Sequence, residues 1–305
     1  MTSHSPSGEA ALARLQALPR PVLWVIAARV KTLSLSLVPV IAGSWIAALS
    51  GGWRADVALA AGGASAAIQV GTNLWNDAAD AASGVDGPER LGPPRLTSLG
   101  LLDAVKVRRA AAAAFGLAAL LGLYLVAIGG WPIIAIGLVS LALGFFYSMG
   151  PRPLSGTPLG ELLVIAFFGV VAVAGTVYLH GQRISPDVIS LGLLVGLPAA
   201  AILLINNHRD RTTDARAGRQ TLAILIGRMP SRMLYAGLLF LSVIGVYAFA
   251  PCLAALLPVA IAAGVLSFMM LTTPVSAALN RLIPGTALFQ IVVLVAIVAG
   301  RSLCG

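Results

Sequence analysis

Nine mostly apolar stretches follow one another along the chain, at roughly 33–49, 56–76, 110–128, 132–149, 159–178, 187–206, 233–250, 252–271 and 286–302. Each is about 17 to 21 residues long, enough for a helix to cross about 30 Å of hydrocarbon. Nothing else restricts the fold so tightly. In lipid every backbone N–H and C=O has to find a partner within the protein, which leaves helices or a closed barrel. The runs are too long and too uniformly apolar for the alternation of barrel strands. Only 10% of residues are charged and mean hydropathy is +0.94, against about 25% charged in a soluble domain. The expected fold is therefore all-α: a polytopic membrane protein of nine transmembrane helices, one domain over 1–305. Residues 1–28 form an N-terminal interfacial segment, with a partly amphipathic helix over 9–28 interrupted at Pro21. No removable signal peptide is expected in Met1–Arg20, which lacks a long apolar core.

The loops set the orientation. With nine spans and the N-terminus inside, all of the 20 Lys and Arg except Arg54, Arg183 and Arg301 fall on the inner side. That is the asymmetry expected of a chain whose N-terminus is cytoplasmic, in the inner membrane. The same bias explains the net charge of +9 without nucleic acid. The turn at Ala250–Cys252 is tight, and two separate spans are preferred there. Cys252 and Cys304 have no metal-ligand spacing and imply no disulfide framework. Trp24, Trp53, Trp75 and Trp131 fall where interfacial belts belong.

Two polar stretches stand out at inner ends of even-numbered spans: GTNLWNDAADAASGVDGPERLGPPR (Gly71 to Arg95) and NNHRDRTTDARAGRQTLAILIGR (Asn206 to Arg228). Asn76 and Asp80 are four residues apart, as are Asp210 and Asp214, so on a helix each pair faces one way. Each pair is a small oxygen claw, with Asp77 and Asp86 beside the first. Magnesium takes oxygen ligands from one or two carboxylates plus substrate phosphates, and arginines clamp the same phosphates. The plainer alternative is that these carboxylates pair with loop arginines at the headgroups. Charges at the ends of spans favour the functional reading.

In order and position these stretches resemble the two aspartate-rich motifs of the UbiA superfamily of intramembrane prenyltransferases, nearest the branch that prenylates 1,4-dihydroxy-2-naphthoate. The likeness extends to ARVKTLSLSLVPVIAG (Ala28 to Gly43), where Val30 stands in place of that branch's usual proline. It continues through YSMGPRPLSGTPLGELLVIAFFGVVAVAGTVYL (Tyr147 to Leu179). The resemblance implies a UbiA-type bundle with a cavity at the inner face, under cytoplasmic capping loops after spans two and six. It implies magnesium held by Asn76, Asp80, Asp210 and Asp214, with Asn73 and Asn206 one turn deeper completing or orienting the ligands. Lys31, Arg95, Tyr147, Arg152, Arg209 and Arg219 become candidates for the diphosphate. Many members carry a lysine four residues after the tyrosine; here Pro151 stands there, followed by Arg152. Arg29 or Lys31 is placed to meet an acceptor carboxylate, or else simply snorkels.

Other polar residues get plainer readings: Arg108, Arg109 and Arg232 as topology markers, His208 as a solvated helix-end histidine, Gly84, Gly92 and Gly218 as turns of capping loops. His180 and Glu161 receive no role. The implied reaction joins a polyprenyl diphosphate to an aromatic acceptor, 1,4-dihydroxy-2-naphthoate, with decarboxylation to demethylmenaquinone. Other acceptors (4-hydroxybenzoate, homogentisate, a futalosine-type intermediate) and a secondary transporter are the alternatives; a transporter would place its charges nearer the bilayer midplane.

Overall fold

The computed structural model describes residues 12–83, 91–148 and 154–304, and among them all regular structure is helical. We number α1 Arg20–Ala27, α2 Ser34–Leu49, α3 Ala55–Ser83, α4 Ala104–Gly129, α5 Trp131–Ser148, α6 Gly160–Leu179, α7 Pro186–Arg209 and α8 Arg211–Arg216. Four more follow: α9 Leu222–Ile226, α10 Arg228–Phe249, α11 Leu253–Thr272 and α12 Leu282–Cys304. Every apolar stretch predicted from the sequence lies on one of these helices. Among the described residues seven are long and apolar enough to cross a membrane alone, and a pair bent by 50°, Arg20–Thr32 with Ser34–Leu49, makes an eighth if it is counted as one broken span. The apolar part of α5, Trp131–Ser140, is shorter.

The N-terminal helix is interrupted as expected: residues 12–16 are helical, 17–19 are not, and α1 begins anew at Arg20. Pro21 itself stands in the first turn of α1, where its missing N–H costs nothing and its fixed φ suits entry. A second break comes at Arg29, which adopts φ 54°. Helix α4 starts earlier than position 110 because the Asp103 carboxylate accepts from the Lys106 N–H at 2.8 Å and caps it.

Helix α7 lies at the centre, with α6, α10 and α12 packed around it. Its seam with α6 is made of glycine. A Cβ on Gly169 would sit 2.3 Å from the Gly192 carbonyl oxygen, and one on Gly192 would sit 2.7 Å from Val170 Cα. Gly192 and Gly196 form a G-x-x-x-G pair, the pattern that lets helices approach backbone to backbone in lipid. The facing stretch of α6, Ile165–Val171, is wound as a π-helix. Farther along, Pro198 cannot donate to the carbonyl of Leu194, and buried Gln290 of α12 donates Nε2–H to the neighbouring Val195 carbonyl at 2.8 Å. Beside the proline, α12 is thus tied to the backbone of α7 by a buried side chain.

At the end opposite the two motifs, Cys252 and Cys304 are bonded as a disulfide, with Cα atoms 5.7 Å apart. No such framework was expected from the sequence: the residues are 52 apart and only the return of α12 to the α10–α11 turn joins them. Arg301 stacks over Phe249 at 4.7 Å beside them. Nearby, buried His180 accepts from the Arg54 backbone N–H at Nδ1, with Nε2 3.1 Å from Ser44 Oγ. Burial and Arg54 push its pKa down, so it is neutral and structural.

Candidate functional site

The second motif is a hub, because consecutive residues at the end of α7 bond one another and reach into other parts of the bundle. Asn206 Oδ1 accepts from Arg209 Nη1 at 2.9 Å. Asn207 donates to the Glu161 carboxylate at the start of α6 at 2.8 Å. His208 Nε2 accepts from Arg232 Nε at 3.4 Å. Arg209, only 4% exposed, grips Asp210 with both arms at 2.8 and 2.5 Å.

Asp210 ends α7 and starts α8, so the second claw does not lie on one unbroken helix. The i→i+4 bond nevertheless continues across the joint, Asp214 N–H to Asp210 C=O at 2.8 Å, and keeps the two carboxylates one turn apart. Arg219 Nη1 donates to Asp214 Oδ1 at 2.8 Å. Burial pushes the Asp214 carboxyl above the usual aspartate range, and Arg219 pulls it partly back. The short 3₁₀ turn Leu154–Gly156 ahead of α6 is drawn in as well: the Gln220 N–H donates to the Gly156 carbonyl at 2.7 Å.

The first motif rides on α3, which carries Asn76, half-buried, and the backbone of Asp80. The Asp80 and Tyr147 side chains lie outside the described residues, as do Gly84, Asp86 and Arg152 altogether. Asp77, beside the claw in sequence, is engaged by backbone and hydroxyl donors. It is 2% exposed and accepts from the backbone N–H groups of Leu96 and Thr97 at 3.2 and 3.1 Å, with the Thr97 hydroxyl at 2.5 Å. It clasps the segment that follows the capping loop. Asn73 also serves the fold, because its Nδ2 donates to the Ala28 carbonyl at 3.0 Å and ties the end of α1 to α3 just before the left-handed Arg29. Arg29 and Arg95 are half-buried and Lys31 is exposed.

Two basic-end readings change. His208 is 1% exposed rather than solvated, and Arg232 is 5% exposed rather than a loop marker. Arg232 donates to the carbonyls of Leu271 at 2.6 Å and of Thr273, closing the C-terminus of α11. A guanidinium there satisfies carbonyls that the helix end leaves bare and complements its dipole.

One functional neighbour is not evident from the sequence. Asn280, in the 3₁₀ turn Ala277–Arg281 between α11 and α12, accepts from Arg209 Nη1 at 2.6 Å and donates to the Leu91 carbonyl at 2.8 Å. The segment after the first motif is thereby joined to the second motif at one end of the bundle. A lone Asn between two apolar runs is the only sequence signal.

The helical membrane bundle with arginine-paired aspartates at the end of α7 can be set beside known proteins. The chain belongs to the UbiA prenyltransferase family, whose model matches residues 36–297; it is an integral membrane prenyltransferase. It is 38% identical over 234 residues to the 1,4-dihydroxy-2-naphthoate octaprenyltransferase of Mycobacterium tuberculosis, covering 76% of this chain and 78% of that one. To the Escherichia coli protein of the same name it is 33% identical over 235 residues, covering 75% and 76%. A solved UbiA homolog from Archaeoglobus fulgidus, bound to DMAPP and Mg2+, superposes with TM-score 0.59 over 92% of this chain and 99% of that one, at 13% identity. A digeranylgeranylglyceryl phosphate synthase gives 0.54 over 91% and 96%, at 18% identity. At such identities the likeness is one of fold.

Proposed function

We propose that this enzyme transfers a polyprenyl group from polyprenyl diphosphate to 1,4-dihydroxy-2-naphthoate, with decarboxylation, giving demethylmenaquinol (the reduced form of demethylmenaquinone), carbon dioxide and diphosphate. The observation that carries the reading is the inner mouth, where buried Asp214 and half-buried Asp210 sit one turn apart, each paired with an arginine, and are tied through Asn280 to the first motif's loop. The acceptor assignment is supported by the names of relatives at 31 to 38% identity.

The residues present fit magnesium. The donors are all oxygens, and burial raises the Asp214 pKa, a carboxylate that a divalent cation would return to its ionised form. Asn76, Asp80, Asp210 and Asp214 would hold it, with Asn73 and Asn206 orienting them. Bound there, magnesium supplies the positive charge that makes diphosphate a good leaving group. Arg209 and Arg219, released from their carboxylates, meet the diphosphate oxygens; Lys31, Arg29, Arg95, Tyr147 and Arg152 are the further candidates for substrate contacts. As the allylic C–O bond breaks, its electron pair leaves with diphosphate. The ring carbon bearing the acceptor's carboxylate forms the new C–C bond, and loss of carbon dioxide restores aromaticity. No base is required for a ring proton. The polyprenyl tail lies in the bilayer.

The membrane is the cytoplasmic one, with the N-terminus and both motifs inside. The distribution of Lys and Arg supports this, and so does a disulfide at the opposite end, since such bonds persist in oxidising compartments. The test is mass spectrometry of the product made by purified enzyme from 1,4-dihydroxy-2-naphthoate and a polyprenyl diphosphate, with and without chelator. A product that retains the carboxylate, or turnover that survives excess chelator, would overturn the reading.

A further inference from the structure

Asn280 belongs to neither motif; it is 71 residues from Arg209 and 189 from Leu91, yet bonds both. The orientation of its amide follows from its partners. A guanidinium has only donors, so it must face Oδ1; a carbonyl only accepts, so it must face Nδ2. An aspartate in its place offers no donor to Leu91, and a leucine offers nothing to either. The turn that carries it is held firmly: Leu279 is fully buried and Ser276 Oγ accepts from the Ala278 N–H at 3.2 Å. The guanidinium it contacts is itself almost wholly enclosed, with its other arms on Asp210 and Asn206. Among the described residues, Asn280 is thus the one partner from outside α7 and Asp210 that helps fix where Arg209 points.

We propose that Asn280 is a positioning residue of the prenyl-transfer site: it aims Arg209 alongside Asp210 and holds the segment following the first motif in register with the second. This rests on the proposed function, in which the two motifs share one diphosphate. A charge-assisted hydrogen bond that fixes a diphosphate-binding arginine is worth about 10- to 100-fold in affinity.

The test uses the full-length protein in detergent or nanodiscs and two readouts. One is calorimetric binding of inorganic pyrophosphate with magnesium; the other is KM for polyprenyl diphosphate against KM for the aromatic acceptor. Asn280→Leu, which keeps the branch at Cγ but carries no polar atom, should weaken pyrophosphate binding and raise the diphosphate KM by about 10- to 100-fold, leaving the acceptor KM near the parent's. The two partners it strands should also lower the thermal midpoint, with the protein still folded at the assay temperature. Asn280→Asp should be no better, because it loses the bond to Leu91 and adds a second carboxylate competing for Arg209. In an Arg209→Ala background Asn280→Leu should add less than it does alone, since the two act through one contact. The proposal is overturned if Asn280→Leu binds pyrophosphate as the parent does, if its loss simply adds to that of Arg209→Ala, or if both KM values rise together. Should Asn280→Leu not fold, Asn280→Asp answers the same question. Asp214→Ala separates the two ideas: if it still binds and turns over, the function reading fails. If it is dead while Asn280→Leu is parent-like, only the role of Asn280 fails.

Discussion

Asp77 and Asp80 stand three residues apart in one acidic motif, and replacing each should damage a different property. Asp77 is buried and receives two backbone N–H groups and the Thr97 hydroxyl. Asp77→Ala strands the donors of Leu96 and Thr97 in the interior. Each buried donor left without a partner costs about 1–3 kcal/mol, so together with the lost packing the change should destabilise by about 3–5 kcal/mol. If the scale for soluble domains, about 2–4 °C per kcal/mol, carries over, the apparent thermal midpoint falls by roughly 10 °C. Asp77→Asn keeps an acceptor but brings an NH2 against N–H donors, and should fall between. The assay is intrinsic tryptophan fluorescence on heating the detergent-solubilised protein at one fixed scan rate, since unfolding of such proteins is seldom reversible, alongside turnover at low temperature. The folded fraction of Asp77→Ala should still turn over. A variant with the parent's midpoint and no turnover would refute the reasoning and make Asp77 a ligand.

Asp80→Ala or Asp214→Ala should abolish turnover with the fold retained by circular dichroism; near-normal activity in either removes the paired-claw assignment. Protons compete with magnesium for Asp214, whose pKa burial holds above the usual aspartate range. Affinity for magnesium-pyrophosphate should therefore fall as pH drops through that raised value, and Arg219→Ala, by removing the opposing charge, should shift this limb to higher pH. A limb that stays put on calorimetric titration counts against Asp214 as the titrating group. The effect on folding has the opposite sign: a raised folded value favours the native state below the unfolded aspartate's pKa, and that increment is lost as pH rises through the folded one. Arg183→Ala, at the far end of the bundle, should leave turnover within about twofold of the parent, the margin of an ordinary surface change; a large loss in the same assay would contradict the topology.

The helices were legible because lipid permits so few alternatives: an apolar run of sufficient length has to be helical, and Lys and Arg mark its inner end. The motif pairs were legible for the same reason, as charge in a chain that otherwise avoids it. What stayed hidden depended on contacts between distant segments. Nothing local distinguishes Asp77, which clasps Leu96 and Thr97, from Asp80 three residues on. Arg232 and His208 read as peripheral because the sequence does not say that α10 carries one against the other beneath the end of α11. The disulfide required knowing that α12 returns to the α10–α11 turn. Asn280 is silent in sequence, since a polar residue between spans needs no special reason to be there.

The glycine seam between α6 and α7 has a bearing on how such an enzyme can change over time. Where two backbones touch, as at Gly169 and Gly192, no side chain remains to be trimmed, and every replacement pushes the helices apart. Glu161 and Asn207 lie on the same two helices, toward the mouth. The spacing of the mouth on that flank is set from deep within the bilayer, by residues that touch no substrate. Variation can reshape the rim freely while this internal gauge holds the second motif at a fixed distance from α6.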